Sequence, residues 1–185
     1  CFGSIYDQTY GFENLEVIFI DDLSTDNTWS ILESLQRKYP GNVISLKMQK
    51  KGKCGGTRNL GMDICSGKYI TFVDADDWVH PDMLKVLHDR MAEDDYDVVQ
   101  CGVSCFKEAV PSVSAVNDHE IQMLDLNNVD NRKNLIISLT GFTNVTAWAK
   151  LYSVRFIREN NLRFMEDIYY EDTYFSMLCV LFAKK

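Results

Sequence analysis

Between Leu15 and Ala92 short apolar runs alternate with longer amphipathic stretches, and this alternation restricts the fold more than any other feature of the chain. A strand buried on both faces reads as a short continuous apolar run, and the helix that crosses back over the sheet reads with a 3.6-residue period. The pattern therefore predicts β-α-β units around a parallel sheet. Strands are expected at Glu16–Ile20, Val43–Met48, Tyr69–Val73 and Asp97–Cys101. Between the first two, Trp29, Leu32, Leu35 and Tyr39 recur at helical spacing, after start signals at Ser24, Asp26 and Thr28 and before a stop at Pro40-Gly41. A second helix is expected from about Gly56 to Cys65, and a third from Pro81 with Leu84, Leu87 and Met91 inward.

Beyond Gly102 the pattern weakens, and the polar stretch from Ser112 to Asn131 reads as a loop rather than a domain boundary. Helical periodicity returns near Asn134–Leu139, at Val154–Asn160 and at Asp172–Ala183, where Phe175, Leu178, Cys179 and Phe182 form an apolar stripe. With 185 residues, 46% of them hydrophobic, the chain can bury a sizeable core as one domain, residues 1–185.

Nineteen Lys and Arg against 27 Asp and Glu give a net charge of −8, which argues against nonspecific nucleic-acid binding. No apolar run reaches the roughly 18 residues a membrane span requires, and Cys1–Tyr10 lacks a signal-peptide pattern, so a cytoplasmic protein is expected. On that expectation the six cysteines read as free, buried thiols.

Three acidic signals carry chemistry. Asp21-Asp22 ends the first strand, where open parallel sheets bind ligands. Turn and capping roles account for Ser24, Asp26 and Thr28, but two adjacent carboxylates repel unless a donor or a cation compensates them, so a ligand is expected for at least one. The second signal is Asp74-Ala75-Asp76-Asp77-Trp78 after the third strand. In extended backbone Asp74 and Asp76 project to one side and offer hard oxygen ligands to Mg²⁺ or Mn²⁺. The third is Glu171-Asp172 at a helix start, either dipole compensation or a general base. From Val43 to Met62 there is no acidic residue, and Lys47, Lys50, Lys51, Lys53 and Arg58 alternate with Gly52, Gly55 and Gly56 ahead of a helix, a setting suited to phosphate oxygens.

In this order the residues resemble the family 2 glycosyltransferases, which have the GT-A fold, an α/β, mostly parallel but mixed, Rossmann-like sheet flanked by helices. The resemblance runs through Asp21-Asp22-Leu23-Ser24-Thr25-Asp26, Arg58-Asn59-Leu60-Gly61, Asp74-Ala75-Asp76-Asp77-Trp78, Trp148-Ala149-Lys150-Leu151-Tyr152 and Tyr170-Glu171-Asp172. It implies a nucleotide-sugar donor, with a UDP-sugar as the family's habit, and a saccharide or lipid-linked acceptor. By motif, Asp22 contacts the nucleotide base, Asp74 faces ribose and phosphates, Asp76 binds Mn²⁺ or Mg²⁺, and Asp172 is the base. Arg58 is placed near the donor, and Trp78, Trp148 and Lys150 on the acceptor side. A location at the inner face of a membrane, peripheral association with it and a homodimer are compatible with the family.

Two departures accompany the match. Leu23 stands where relatives usually carry Gly, which constrains the turn bearing Asp22. The family's opening strand is not found before Phe2, and relatives often continue past Lys185, so a strand and a C-terminal extension are expected to be missing. A metal-dependent nucleotidyltransferase, with similar aspartates and a basic glycine-containing loop, and an inactive nucleotide-binding scaffold are the competing readings.

Overall fold

The computed structural model describes residues 1–103, 124–138 and 145–185. Strand β1 (Val17–Asp21) pairs in parallel with β2 (Val43–Lys47), in register from Val17 opposite Val43 to Asp21 opposite Lys47. Helix α2 (Thr28–Lys38) makes the crossover, and Trp29, Leu32, Leu35 and Tyr39 lie half-buried as their spacing predicts, while Ile31 on the far side is exposed. The short helix α1 (Phe2–Tyr6) adds Phe2 and Ile5 to a cluster with Val17, Phe19, Val43 and Tyr39.

The remaining strands form a second, antiparallel sheet in the order β3 (Tyr69–Ile70), β5 (Lys150–Ser153), β4 (Val98–Gln100). This corrects the expectation that Tyr69–Val73 lies in the parallel sheet. The central strand β5 lies between β3 and β4 with opposite polarity, and among the described residues an isolated parallel bridge from Phe72 to Trp148 continues the line of β3. Strand β5 gives no periodic signal because all four of its residues are buried.

Helix α3 (Lys53–Ile64) starts three residues before the predicted start, and α4 (Met83–Glu93) buries Leu84, Leu87 and Met91 as read from the sequence. Helix α5 (Val129–Ser138) begins within the stretch expected to be a loop; most of that stretch lies outside the described residues. Helix α6 (Val154–Glu159) follows β5, capped by the Ser153 side chain, which accepts from the Phe156 N–H at 3.3 Å. Helix α7 (Glu171–Phe182) buries Phe175 and Cys179 but leaves Phe182 exposed, so its inward stripe is narrower than predicted. Arg132 of α5 closes the end of α7 by donating to the carbonyls of Val180 and Ala183 at 3.2 and 3.0 Å.

The main core lies between the antiparallel sheet and α7. Phe164 stacks on Phe175 with ring centres 3.9 Å apart, and Phe72 meets both edge-on. Such aromatic pairs contribute about 0.5–1.5 kcal/mol each beyond the area they bury. This packing brings the start of α7 toward α3 and the segment after Phe72. Of the cysteines, Cys65 and Cys179 are buried, but Cys1 and Cys54 are exposed, against the expectation of buried thiols throughout.

Candidate functional site

Asp21 and Asp22 leave the end of β1 in different directions, each with its own compensation. The Asp21 side chain is fully buried; one oxygen accepts from the Ser24 N–H at 3.1 Å, and the other faces Lys47 Nζ at 3.7 Å. Asp22 reaches across to α3, where it accepts from the N–H groups of Gly52 at 2.7 Å and Lys53 at 3.1 Å. The positive end of α3, expected to suit phosphate oxygens, is therefore capped by a carboxylate of the chain itself. Between Asp22 and Ser24, Leu23 has φ +60°, a left-handed conformation that costs an L-residue about 1–2 kcal/mol, as a residue standing where glycine is usual must.

The second acidic segment is a turn and not extended backbone. The Asp77 N–H donates to the Asp74 carbonyl at 3.1 Å, so the alternation argument that put Asp74 and Asp76 on one side does not apply. The turn still gathers negative charge: burial raises the pKa of Asp77, and the charges of Asp74 and Asp76 raise it further. Asp76 is exposed, and no ion pair among the described residues occupies it. Among the described residues no three His, Cys, Asp or Glu side chains gather to hold a metal. A cation at Asp76 would draw its other ligands from diphosphate and water, which is how Mg²⁺ is commonly held.

Arg58 joins the acidic segments. From the middle of α3 it donates to Asp74 Oδ1 at 2.8 Å, to Glu171 Oε1 at 2.6 Å and to Asp172 Oδ1, while its guanidinium lies 5.3 Å over the Phe164 ring. Burial opposes its charge, but Asp172, Asp74 and Glu171 outweigh burial and hold its pKa above the ordinary value. Asp172 Oδ2 accepts from the Ala147 N–H at 2.9 Å. Burial raises the pKa of Asp172 and the neighbouring Glu171 adds to this, against the Ala147 N–H and Arg58, leaving a net upward shift.

A cavity of about 390 Å³ opens beside this cluster, lined by Asp22, Lys53, Thr57, Ile168, Tyr169 and Glu171 among others. Tyr169 is missed by the sequence reading, whereas Lys53 belongs to the basic stretch suited to phosphate oxygens and Glu171 to the third acidic signal. Glu171 is accounted for by capping in sequence, and only the fold turns it toward Arg58. The strap leading into α7 is held by Asn59, whose side chain donates to the Phe164 carbonyl at 3.0 Å and accepts from the Phe164 N–H at 3.0 Å. Lys53 donates to the Asp167 carbonyl at 2.7 Å and lies 4.8 Å over the Tyr169 ring.

The residues expected on the acceptor side are Trp78, Trp148 and Lys150. Trp78 and Trp148 are each half-buried, Trp78 following the acidic turn and Trp148 bridging to Phe72. Lys150 is 6% exposed and donates to the Thr146 carbonyl, so its amine faces the interior and offers an acceptor no contact here. Burial pushes its pKa down to about 8 from 10.5, against opposing pulls from Cys179, Asp172 and Cys101. The cost of the buried ammonium is felt in full below pH 8 and is relieved as pH rises from about 8 to 10.5. Relative to Lys150→Met, the wild type should therefore gain about 3 kcal/mol of stability between pH 7 and 10.5. Urea melts of both proteins at the two pH values check this, and a constant difference between them would contradict it.

The sequence profile of Glycosyl transferase family 2 matches residues 1–159. The chain belongs to this family. It is 31% identical over 173 residues to the uncharacterized glycosyltransferase YibD of Escherichia coli strain K12, covering 93% of this chain and 49% of that protein. It is 28% identical to the poly(ribitol-phosphate) beta-glucosyltransferase of Bacillus spizizenii over all of this chain and 27% of that one. The chain thus spans half or less of the length of these relatives. Among solved structures, Staphylococcus aureus TarS superposes with a TM-score of 0.77 at 23% identity, covering 99% of this chain and 31% of TarS. The mannosyltransferase PcManGT of Pyrobaculum calidifontis, in complex with GDP-Man and Mn²⁺, superposes at 0.63 with 16% identity over 94% of this chain and 45% of its own. These superpositions establish the GT-A fold for this family 2 member. Asp172 lies beyond the residues the profile matches.

Proposed function

We propose that this family 2 glycosyltransferase moves a sugar from a nucleotide-sugar donor, most simply a UDP-sugar, to a hydroxyl of a saccharide or lipid-linked acceptor, with inversion and with help from Mn²⁺ or Mg²⁺. The observation that carries the reading is the meeting, through Arg58, of Asp74 after β3 with Asp172 at the start of α7, beside a cavity reached by Asp22. A nucleotidyltransferase would have no use for a carboxylate delivered from so far along the chain.

In this reading Asp172 takes the proton from the attacking hydroxyl, and the upward shift that burial gives its carboxyl is in the direction that strengthens a base. Asp22 and Asp74 border the donor, and Asp76 holds the cation. When bound there, the divalent ion supplies neutralisation of the charge on the departing nucleoside diphosphate. A single displacement opposite the leaving group inverts the anomeric centre. TarS has been solved in complex with UDP and with UDP-GlcNAc, which supports uracil as the base. Among the described residues no helix is long and apolar enough to cross a membrane. We place the reaction at the inner face of a membrane, where lipid-linked acceptors are presented.

Calorimetry with UDP and GDP, with and without Mn²⁺, tests the donor site. Wild type should bind UDP in a Mn²⁺-dependent manner, and Asp76→Ala should weaken that binding about tenfold or more while leaving the metal-free affinity unchanged. Tenfold corresponds to about 1.4 kcal/mol, the scale of one charge-assisted contact. Absence of binding to any nucleotide would overturn the donor reading, and full metal dependence in Asp76→Ala would overturn the role of Asp76.

A further inference from the structure

Arg58 occupies the place expected for a donor contact, yet its guanidinium is engaged by the protein. Its side chain is 10% exposed, against 37% for Asp74, 11% for Glu171 and 19% for Asp172. The same terminal nitrogen serves Glu171 and Asp172, and the other serves Asp74. With the Ala147 N–H on Oδ2 and Arg58 on Oδ1, both oxygens of Asp172 are fixed by donors from different parts of the fold. A carboxylate turns freely about its last side-chain bond unless such donors hold it. Each oxygen held in this way keeps a second lone-pair direction, so Asp172 can still accept a proton.

The arrangement rests on the planar fork of arginine. Lysine carries a single nitrogen, which cannot span carboxylates approaching from two sides. The guanidinium lies 5.3 Å over the Phe164 ring, a cation–π contact, and Glu171 bonds the nitrogen that also serves Asp172. Resting on the glycosyl-transfer reading above, we propose that Arg58 is a positioning residue, acting on the reaction by holding Asp172 in line and tying it to Asp74, and not by binding the donor diphosphate. Glu171 is the tether that keeps Arg58 in place.

The test separates binding from turnover. UDP affinity is measured by calorimetry in the presence of Mn²⁺, and turnover by release of UDP from UDP-glucose and UDP-N-acetylglucosamine, with water as acceptor. Arg58→Lys should keep the UDP Kd and the donor KM within about threefold while kcat falls about 100-fold, the loss expected when a proton-accepting group is displaced. Glu171→Gln, close in shape to the native side chain, should lower kcat about tenfold with the same unchanged KM, and serves as the test should Arg58→Lys fail to fold. A UDP Kd raised tenfold or more in Arg58→Lys, with kcat preserved, would make Arg58 a donor ligand and overturn the proposal. Wild type that neither binds UDP nor releases it from a UDP-sugar would instead sink the glycosyl-transfer reading, and this inference with it.

Discussion

Asp172→Asn is expected to abolish sugar transfer, with kcat down by about 10²–10⁴-fold, while UDP binding in the presence of Mn²⁺ stays within a few-fold of wild type. The amide has no basic oxygen to take a proton, and it is nearly the size of the carboxylate, so the cavity is left intact. The substitution carries a structural cost as well. One oxygen of Asp172 accepts from Arg58 and the other from the Ala147 N–H, so whichever way the amide is turned, its NH₂ meets a donor. A loss of about 1–3 kcal/mol in stability should accompany the loss of activity. The comparison that decides is turnover against UDP affinity, both measured well below the melting temperature. An unchanged rate would exclude Asp172 as the base, and lost UDP affinity would move it to the donor side.

The site has a charge pattern that accounts for this sensitivity. One guanidinium faces three carboxylates, and Asp76 and Asp77 lie in the same turn as Asp74. The local balance is negative even though the stretch containing Arg58 is the basic part of the sequence. A diphosphate entering alone would be repelled, whereas one accompanied by a divalent cation would bring compensating charge. The donor reading and the metal reading therefore stand or fall together more closely than the separate motifs suggest.

What was legible in the sequence follows the range of the interactions. The crossover from β1 through α2 to β2 is built from neighbours in sequence, and its periodicity placed Trp29, Leu35 and Tyr39 on the inward side. Asp22 at the end of β1 was legible as an acidic strand end, but its use as a cap for α3 depends on a partner 30 residues away. Arg58 reaches Asp172 across 114 residues, and neither composition nor spacing reports that contact. Strand β5 was hidden for another reason. It is buried on both faces and carries Lys150, so it has neither alternation nor a clean apolar run. The turn at Asp74–Asp77 was read as extended because the apolar lead-in through Phe72 looks like strand, whereas regular pairing stops at Ile70.

Gly55→Ala is the substitution expected to do most damage without touching a charged group. A Cβ at this position would lie 2.2 Å from the carbonyl oxygen of Met165 and 3.1 Å from its carbon. The obstacle is backbone and cannot rotate away, so α3 and the strap from Met165 to Tyr170 would have to separate. Overpacking of this kind costs about 1–3 kcal/mol and sometimes more. That should lower the melting temperature by about 2–12 °C for a chain of this size. Separation would also pull on Asn59, which clasps Phe164, and on the left-handed residues Asp167 and Tyr170 that deliver Glu171 and Asp172 to Arg58. Turnover should therefore fall by more than the melting temperature alone would suggest. Gly56→Ala supplies the control, since its nearest neighbour is the Met48 side chain at 3.8 Å and alanine is the better helix former by up to about 1 kcal/mol. Parallel thermal melts and UDP-release rates for the two variants decide the matter: equal behaviour at both positions would mean that the close approach of α3 to the strap does not set the position of Asp172.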